Sequence, residues 1–351
     1  MTAAPSNTTP PERIDTEEQL DEVMTRPGPE LIREVSTLPS PLLILGAAGK
    51  MGPSLAVRVR RAAEAAGANL EVVAISRFSS AGTREWLESR GVRTLSCDLL
   101  ERSAVTQLPN SPNVIYLVGL KFGTSQNPSM TWAVNTLVPS FVAERFAQAR
   151  IVALSTGNVY SLTSLSKGGS VETDPLTPLG EYANAAVARE RLFEYYSRKN
   201  GTPVVLLRLN YAVDLRYGVL LEIAQKVWAR RPVDVTMGYF NCIWQGDANE
   251  MIVRSLRLAE SPTAAFNLTG PEILSVREVA QGFGELMERP AQATGVATET
   301  ALLSNASRLC GILGQPATAV DTVMRWTAHW VKQGSRTLGK PTHFEVRDGG
   351  Y

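Results

Sequence analysis

Leu42-Leu43-Ile44-Leu45-Gly46-Ala47-Ala48-Gly49-Lys50-Met51-Gly52-Pro53 is an apolar run that breaks on glycines at 46, 49 and 52 and passes into an amphipathic stretch ending near Ala66-Gly67. A run apolar on both faces reads as a buried strand, and the stretch after Pro53 reads as a helix. Strand, glycine turn and helix in that order bring backbone amides and a helix N-terminus up to a pyrophosphate, which side chains at the glycine positions would block. A tight strand-to-helix turn alone would need the same glycines, so the surroundings decide. Outward from the turn, Val72–Ser76, Thr94–Cys97, Val114–Val118, Ile151–Thr156 and Val204–Leu209 repeat the apolar run, separated by helical stretches. This alternation predicts an α/β fold with a doubly wound parallel sheet, and with it a dinucleotide site.

The second run ends on Ser76-Arg77, where such a sheet meets the adenosine ribose. An acidic residue there would hold a ribose 2′-hydroxyl and repel a 2′-phosphate. A hydroxyl and a planar cation suit the phosphate, so the cofactor is NADP or NAD with NADP favoured. The alternative for Arg77 is a solvated loop cation.

Further motifs extend the pattern. The GxxGxxG spacing, Cys97-Asp98-Leu99 after the third run, Tyr116-Leu-Val-Gly119-Leu-Lys121 after the fourth, and Leu154-Ser155-Thr156-Gly-Asn-Val159-Tyr160 at the fifth together resemble the extended branch of the short-chain dehydrogenase/reductase superfamily. Within it the resemblance is to the NAD(P)-dependent sugar epimerase/dehydratase family. It implies a Rossmann-type sheet with a smaller C-terminal substrate lobe. It also implies that Gly46, Gly49, Lys50, Met51 and Gly52 form the phosphate turn, that Asp98 and Leu99 contact adenine, and that Gly119 and Lys121 lie on the nicotinamide side. Asn135 in Trp132-Ala-Val-Asn135 matches an Asn that braces the family's active site; an ordinary helix-start Asn is the other reading.

Counting back from Val159-Tyr160 puts Thr156 at the family's catalytic Ser/Thr, and Tyr182 falls where the family has Tyr-x-x-x-Lys. The lysine is absent: position 186 is alanine. A tyrosine of pKa about 10 moves protons near neutrality only with help from neighbouring charge. Lysine one helical turn on supplies that charge in the family, and Ala186 cannot. Arg189 lies two turns on from Tyr182, and Lys121 is a second candidate if its loop folds inward. Two functions stay open. One is an oxidoreductase of epimerase or dehydratase type acting on a sugar or sugar derivative through a transient ketone. The other is a degenerate NAD(P)-binding sensor or scaffold.

Past Leu209 the alternation loosens. Leu206-Leu-Arg208-Leu-Asn210-Tyr211-Ala-Val-Asp214, Ile243-Trp-Gln-Gly-Asp247 and Phe266-Asn267-Leu-Thr-Gly270 resemble family segments of the substrate lobe, although Tyr211 and Asp214 depart from the family's Asn and Gly. The expected organisation is an N-terminal extension over 1–40, the NAD(P)-binding domain over 41–210, the lobe over 211–338 and a tail over 339–351. The resemblance further implies a homodimer built on helices 134–149 and 182–198, the latter carrying Val187, Leu192, Phe193 and Tyr196 at helical spacing, which a role in the core alone also explains. Trp244 and His329 read as packing, Gln245 lies in the same candidate substrate-lining loop, His343 takes no assigned role, and Arg58, Arg60 and Arg61 read as a solvated helix face.

Composition narrows the remaining classes. The 351 residues are 44% hydrophobic and carry 35 Lys+Arg against 34 Asp+Glu, a net charge of +1, so neither disorder nor a nucleic-acid partner is indicated. Three scattered cysteines without a CxxC and only two histidines make a metal centre a poor expectation. No run of about 18 apolar residues occurs and the N-terminus has no leader pattern, so a cytoplasmic protein without a membrane partner is expected.

Overall fold

The computed structural model describes residues 10–121, 123 and 126–350. Two helices, α1 (Glu17–Thr25) and α2 (Pro29–Val35), precede a βα series. The series runs β1 (Leu42–Leu45), α3 (Gly52–Ala65), β2 (Val72–Ser76), α4 (Ala81–Glu88), β3 (Arg93–Ser96), α5 (Arg102–Thr106), β4 (Asn113–Tyr116), α6 (Pro128–Arg145), β5 (Arg150–Thr156), α7 (Gly180–Asn200) and β6 (Val204–Leu209). After it come α8 (Val219–Trp228), α9 (Gln245–Arg254), β7 (Ala264–Leu268), α10 (Val276–Met287), α11 (Ser307–Leu313) and α12 (Val320–Lys332).

The seven strands form one sheet in the order β3-β2-β1-β4-β5-β6-β7 with every pair parallel. Strand pleating sends alternate side chains to opposite faces. Leu42 and Ile44 thus join α2, α3, α9 and α11 in one core, while Leu43 and Leu45 join α6 and α7 in another. A parallel sheet covered by helices on both faces is the Rossmann-type arrangement. The order reverses between β2 and β4 on either side of β1, so the crevice that binds ligands in such sheets opens at the carboxyl end of β1, where the glycine turn lies.

A third core gathers α1, α8, α10 and α12 around Trp326, Trp330, Phe240 and Phe344. It does not coincide with the stretch after 210. β7 belongs to the central sheet, and α9 packs on α3, so the chain passes back under the sheet after the first lobe segment.

The N-terminal helices join both units. Leu31 and Val35 enter the core beneath the sheet, and Ile14, Leu20 and Met24 enter the lobe core. Arg58 corrects the expectation of a solvated helix face: it is buried, pairs with Glu250 at 2.6 Å, and donates to the carbonyls of Gly246 and Met24. No helix among the described residues is long and apolar enough to cross a membrane.

Candidate active site

The glycine turn is built for close backbone approach. Gly46 has φ +83°, and a Cβ on Gly52 would lie 2.6 Å from the carbonyl carbon of Ala47, so no side chain fits at 52. Pro53 lies in the first turn of α3, where its missing N–H costs nothing, and no side chain caps the helix. The first-turn amides of α3 thus face the crevice as an anion site. α9 braces the turn from behind: Ser54 Oγ donates to the Met51 carbonyl and accepts from Gln245 and Asn249 at 3.1 and 2.9 Å. Gln245 is therefore a support of the turn, and Trp244 packs edge-on against Trp326 in the lobe core.

Beside the turn, the carboxyl ends of β2 and β3 bring Ser76 and Asp98 together; the Ser76 carbonyl accepts from Cys97 N–H at 2.9 Å. Asp98 accepts from the Leu100 amide and shapes its turn, Leu99 is buried, and Arg77 is exposed. On the other side, Asn135 is fully buried in α6 and donates to the Leu120 carbonyl at 3.2 Å and to the Thr131 carbonyl at 2.8 Å. Pro139, four residues on in α6, has no N–H to close the helical turn onto the Asn135 carbonyl.

Arg189 does reach this loop, but from behind. Its guanidinium donates to Asn135 Oδ1 at 2.9 Å and to the Val118 carbonyl at 3.1 Å. A Cβ on Gly119 would sit 2.7 Å from it. Arg189 is thus committed to holding the loop that carries Gly119 and Lys121.

Thr156 ends β5 and caps the short turn Gly157–Val159, its hydroxyl donating to Asn158 Oδ1 at 2.9 Å and accepting from Asn158 N–H at 3.2 Å. α7, which carries Tyr182 in its first turn, packs against that short turn. Beneath them lies a buried network: Arg208 pairs with Glu190 at 2.8 Å and donates to Tyr160 Oη at 2.7 Å, Ser155 donates to Glu190, and Tyr160 donates to Asn267. A buried pair holds only when its remaining hydrogen bonds are filled, and here Ser155 and Tyr160 fill them. Ala186 is wholly buried and packs with Val159 and Tyr160, against which Leu176 and Val187 also lie.

Charge in the crevice comes from elsewhere. Lys50 Nζ donates to the Ala212 carbonyl at 3.1 Å and sits 3.8 Å from the centre of the Tyr217 ring. Enclosure of this ammonium pulls its pKa down to about 7, with Lys121 adding to the fall and Asp214 opposing it. Lys121 is pulled down by burial to about 8, against the attraction of Glu222. Tyr217 is held well above the ordinary phenol by burial, Glu222 and Tyr182, and burial raises Glu222 as well.

The C-terminal tail adds a cover that no motif announced. The Thr342 amide donates to Glu222, Lys226 pairs with Glu345, Arg347 donates to the carbonyl and hydroxyl of Thr300, and Gly349 abuts Leu179-Gly180 at the start of α7. Tyr217 and Glu222 were likewise missed by sequence reasoning, because their neighbours at 50, 121, 182 and 342 are remote in the chain. Among the described residues no group of three or more His, Cys, Asp or Glu could hold a metal ion.

Residues 42–213 match the family model described as NAD dependent epimerase/dehydratase family. Solved structures share the fold. UDP-glucose 4-epimerase of Thermus thermophilus, complexed with NAD, is 19% identical with a TM-score of 0.65, the match covering 83% of this chain and 99% of that one. UDP-glucuronic acid 4-epimerase of Bacillus cereus, complexed with NAD, is 18% identical with a TM-score of 0.69, covering 84% and 100%. MoeE5 in complex with UDP-glucose and NAD is 22% identical with a TM-score of 0.66, covering 84% and 99%. No curated protein matches the chain.

Proposed function

We propose, from the premise that the chain belongs through residues 42–213 to the NAD dependent epimerase/dehydratase family, that it binds NAD or NADP and acts as an oxidoreductase of epimerase or dehydratase type on a sugar or sugar derivative. The observation that carries this reading is the survival of both hydroxyls, Thr156 and Tyr182, on adjoining elements at the carboxyl edge of the sheet. A protein that only held nucleotide would have no chemical use for the pair.

The residues present fit a dinucleotide. The glycine turn admits no side chain at 52, the N-terminus of α3 is uncapped, and Ser76, Arg77, Asp98 and Leu99 border the far end of the crevice. The solved relatives named above are complexes with NAD, while Ser76-Arg77 would accommodate a 2′-phosphate. When bound, a nicotinamide supplies the acceptor and donor of a hydride. Thr156 then orients the substrate oxygen by hydrogen bonding, and Tyr182 takes the proton of the substrate hydroxyl or returns it to the ketone. Asn135 and Arg189 hold the loop of Gly119 and Lys121 in place. MoeE5 and the two epimerases suggest a nucleotide sugar as the substrate class.

The reading includes a homodimer formed on α6 and α7. The second reading, a degenerate sensor, is favoured by one fact, the packed alanine at 186. A panel of nucleotide sugars and free sugars, followed by nicotinamide absorbance and by product analysis, separates the two. Turnover that falls by about 100-fold or more in Tyr182→Phe and in Thr156→Ala supports the enzyme, that being the usual scale of a proton-transfer group. Equal behaviour of both variants and the natural protein supports the sensor.

A further inference from the structure

The C-terminal segment 339–350, which no motif assigned, crosses the mouth of the candidate active site in two parts of different character. The first part is fixed to the lobe. Thr342 and Phe344 are buried, the Thr342 amide donates to Glu222, and the Phe344 ring lies 6.4 Å from that of Phe240. Over 345–350 every residue is exposed or half-buried, and Val346 is the one apolar side chain. What holds this second part is polar: Glu345 pairs with Lys226, and Arg347 donates to the Thr300 carbonyl at 2.8 Å and to its hydroxyl at 2.7 Å. A stretch with few buried apolar contacts lies at the low end of local stability.

The far end lands beside the two hydroxyls. A Cβ on Gly349 would fall on the Leu179 carbonyl and one on Gly180 on the Gly349 carbonyl, and both glycines have positive φ, +80° and +79°. Only glycine lets the two backbones meet this closely. Tyr182 is two residues further into α7. Under the segment is a cavity of about 20 Å³, with Asn158, Tyr160 and Leu302 on one side and Val346, Arg347 and Gly349 on the other. Asn158 is the residue to which the Thr156 hydroxyl donates. Such a space holds one water, whereas small-molecule sites enclose about 300 Å³ or more. Thr156 and Tyr182 are each only 7% exposed.

We propose that residues 345–350 are a hinged lid over the substrate site, pivoting on Phe344 and latched at Thr300 and Gly180, and that the lid lifts before a sugar-sized molecule reaches Thr156 and Tyr182. What the lid serves rests on the reading of those hydroxyls given above; its movement does not. Lifting breaks the Glu345–Lys226 pair, the two bonds to Thr300 and the glycine contact, and it exposes little apolar surface. The lobe core keeps Phe344 throughout. Closed again, the segment shuts bulk water out from above Asn158, the usual service of an active-site lid.

The test puts a reactive thiol beneath the lid of the full chain. Leu302 lines the cavity, while its neighbours Ala301 and Leu303 enter a separate apolar cluster with Met237. Leu302→Cys is the reporter, with Leu162→Cys, on the same cavity, as the second position should the first fail to fold. The natural cysteines, Cys97, Cys242 and Cys310, are all buried and report global opening. Labelling by an aromatic disulfide reagent is followed in time, each site being read by mass spectrometry. The introduced thiol is expected to react slowly under the natural segment and about tenfold or more faster when Arg347→Ala or Gly349→Val is added, the scale of lost charge-assisted hydrogen bonds, with the natural cysteines unchanged. An introduced thiol that reacts as fast as a free thiol under the natural segment, or at one rate with and without the latch variants, overturns the lid. Natural cysteines that accelerate in step overturn it as well, because the segment then belongs to the global fold. These outcomes leave the reading of the hydroxyls intact. Faster labelling in the latch variants, together with unchanged turnover in Tyr182→Phe, keeps the moving segment and overturns that reading instead.

Discussion

Position 186 is where the chain departs most sharply from its family, and the structure gives that departure a cost in both directions. Ala186 has no exposed surface and packs with Val159 and Tyr160. Restoring lysine would insert about three more methylenes and a charge into a filled apolar site, so Ala186→Lys is expected to lose about 1–3 kcal/mol of stability, the usual range for overpacking. Urea unfolding measures it, and a midpoint equal to that of the natural protein would contradict the packing described here. The sequence could reveal the missing lysine, because a motif is a matter of spacing. It could not reveal what fills the place. Arg189 was legible as a cation on the right face of α7, yet its partners Asn135 and Val118 lie 54 and 71 positions away, and only the folded chain shows it bracing the Gly119 loop. Arg58 was misread for the same reason: three arginines within four residues of a helix look solvated until α1 and α9 arrive to bury one of them.

Elements were more legible than contacts. Six of the seven strands were visible as short β-type runs, clearest where a parallel strand is buried on both faces and so apolar throughout, as Leu42–Leu45 is, and weakest at the edge, where Arg93 and Ser96 of β3 are exposed. The seventh, Ala264–Leu268, was recognised only as a family segment, and the expected lobe boundary at 210 placed it outside the sheet it completes. On α7, Phe193 and Tyr196 were open to two readings, a dimer face or the core. Both are buried in the core under α6, and Tyr196 donates to Glu144 at 2.8 Å. The apolar side chains left exposed on these two helices are instead Met130, Trp132, Leu137 and Tyr195. If α6 and α7 pair two copies, these carry the contact. Sedimentation equilibrium is expected to find a dimer that Trp132→Glu with Leu137→Glu dissociates. A monomeric natural protein would remove the dimer from the account.

At the scale of the molecule, the N-terminal helices, the sheet and the lobe are not three parts in sequence. Ile14, Leu20 and Met24 complete the lobe core, while Leu31 and Val35 complete the core under the sheet. The tail returns to touch α7, α8 and the Thr300 segment around the crevice. What the sequence of the extension could not show is where its few apolar residues pack: against α3, and against α9 more than 200 positions downstream. All of this converges on the carboxyl end of β1, and the account stands on a dinucleotide binding there. The most direct measurement is a fluorescence titration with NADH and with NADPH of the natural protein and of Gly52→Val, each first shown by circular dichroism to be folded. The account predicts saturable binding of one reduced dinucleotide per chain and its loss in Gly52→Val, whose side chain must collide with the Ala47 backbone. No saturable binding to the natural protein, or equal binding to both, would contradict it.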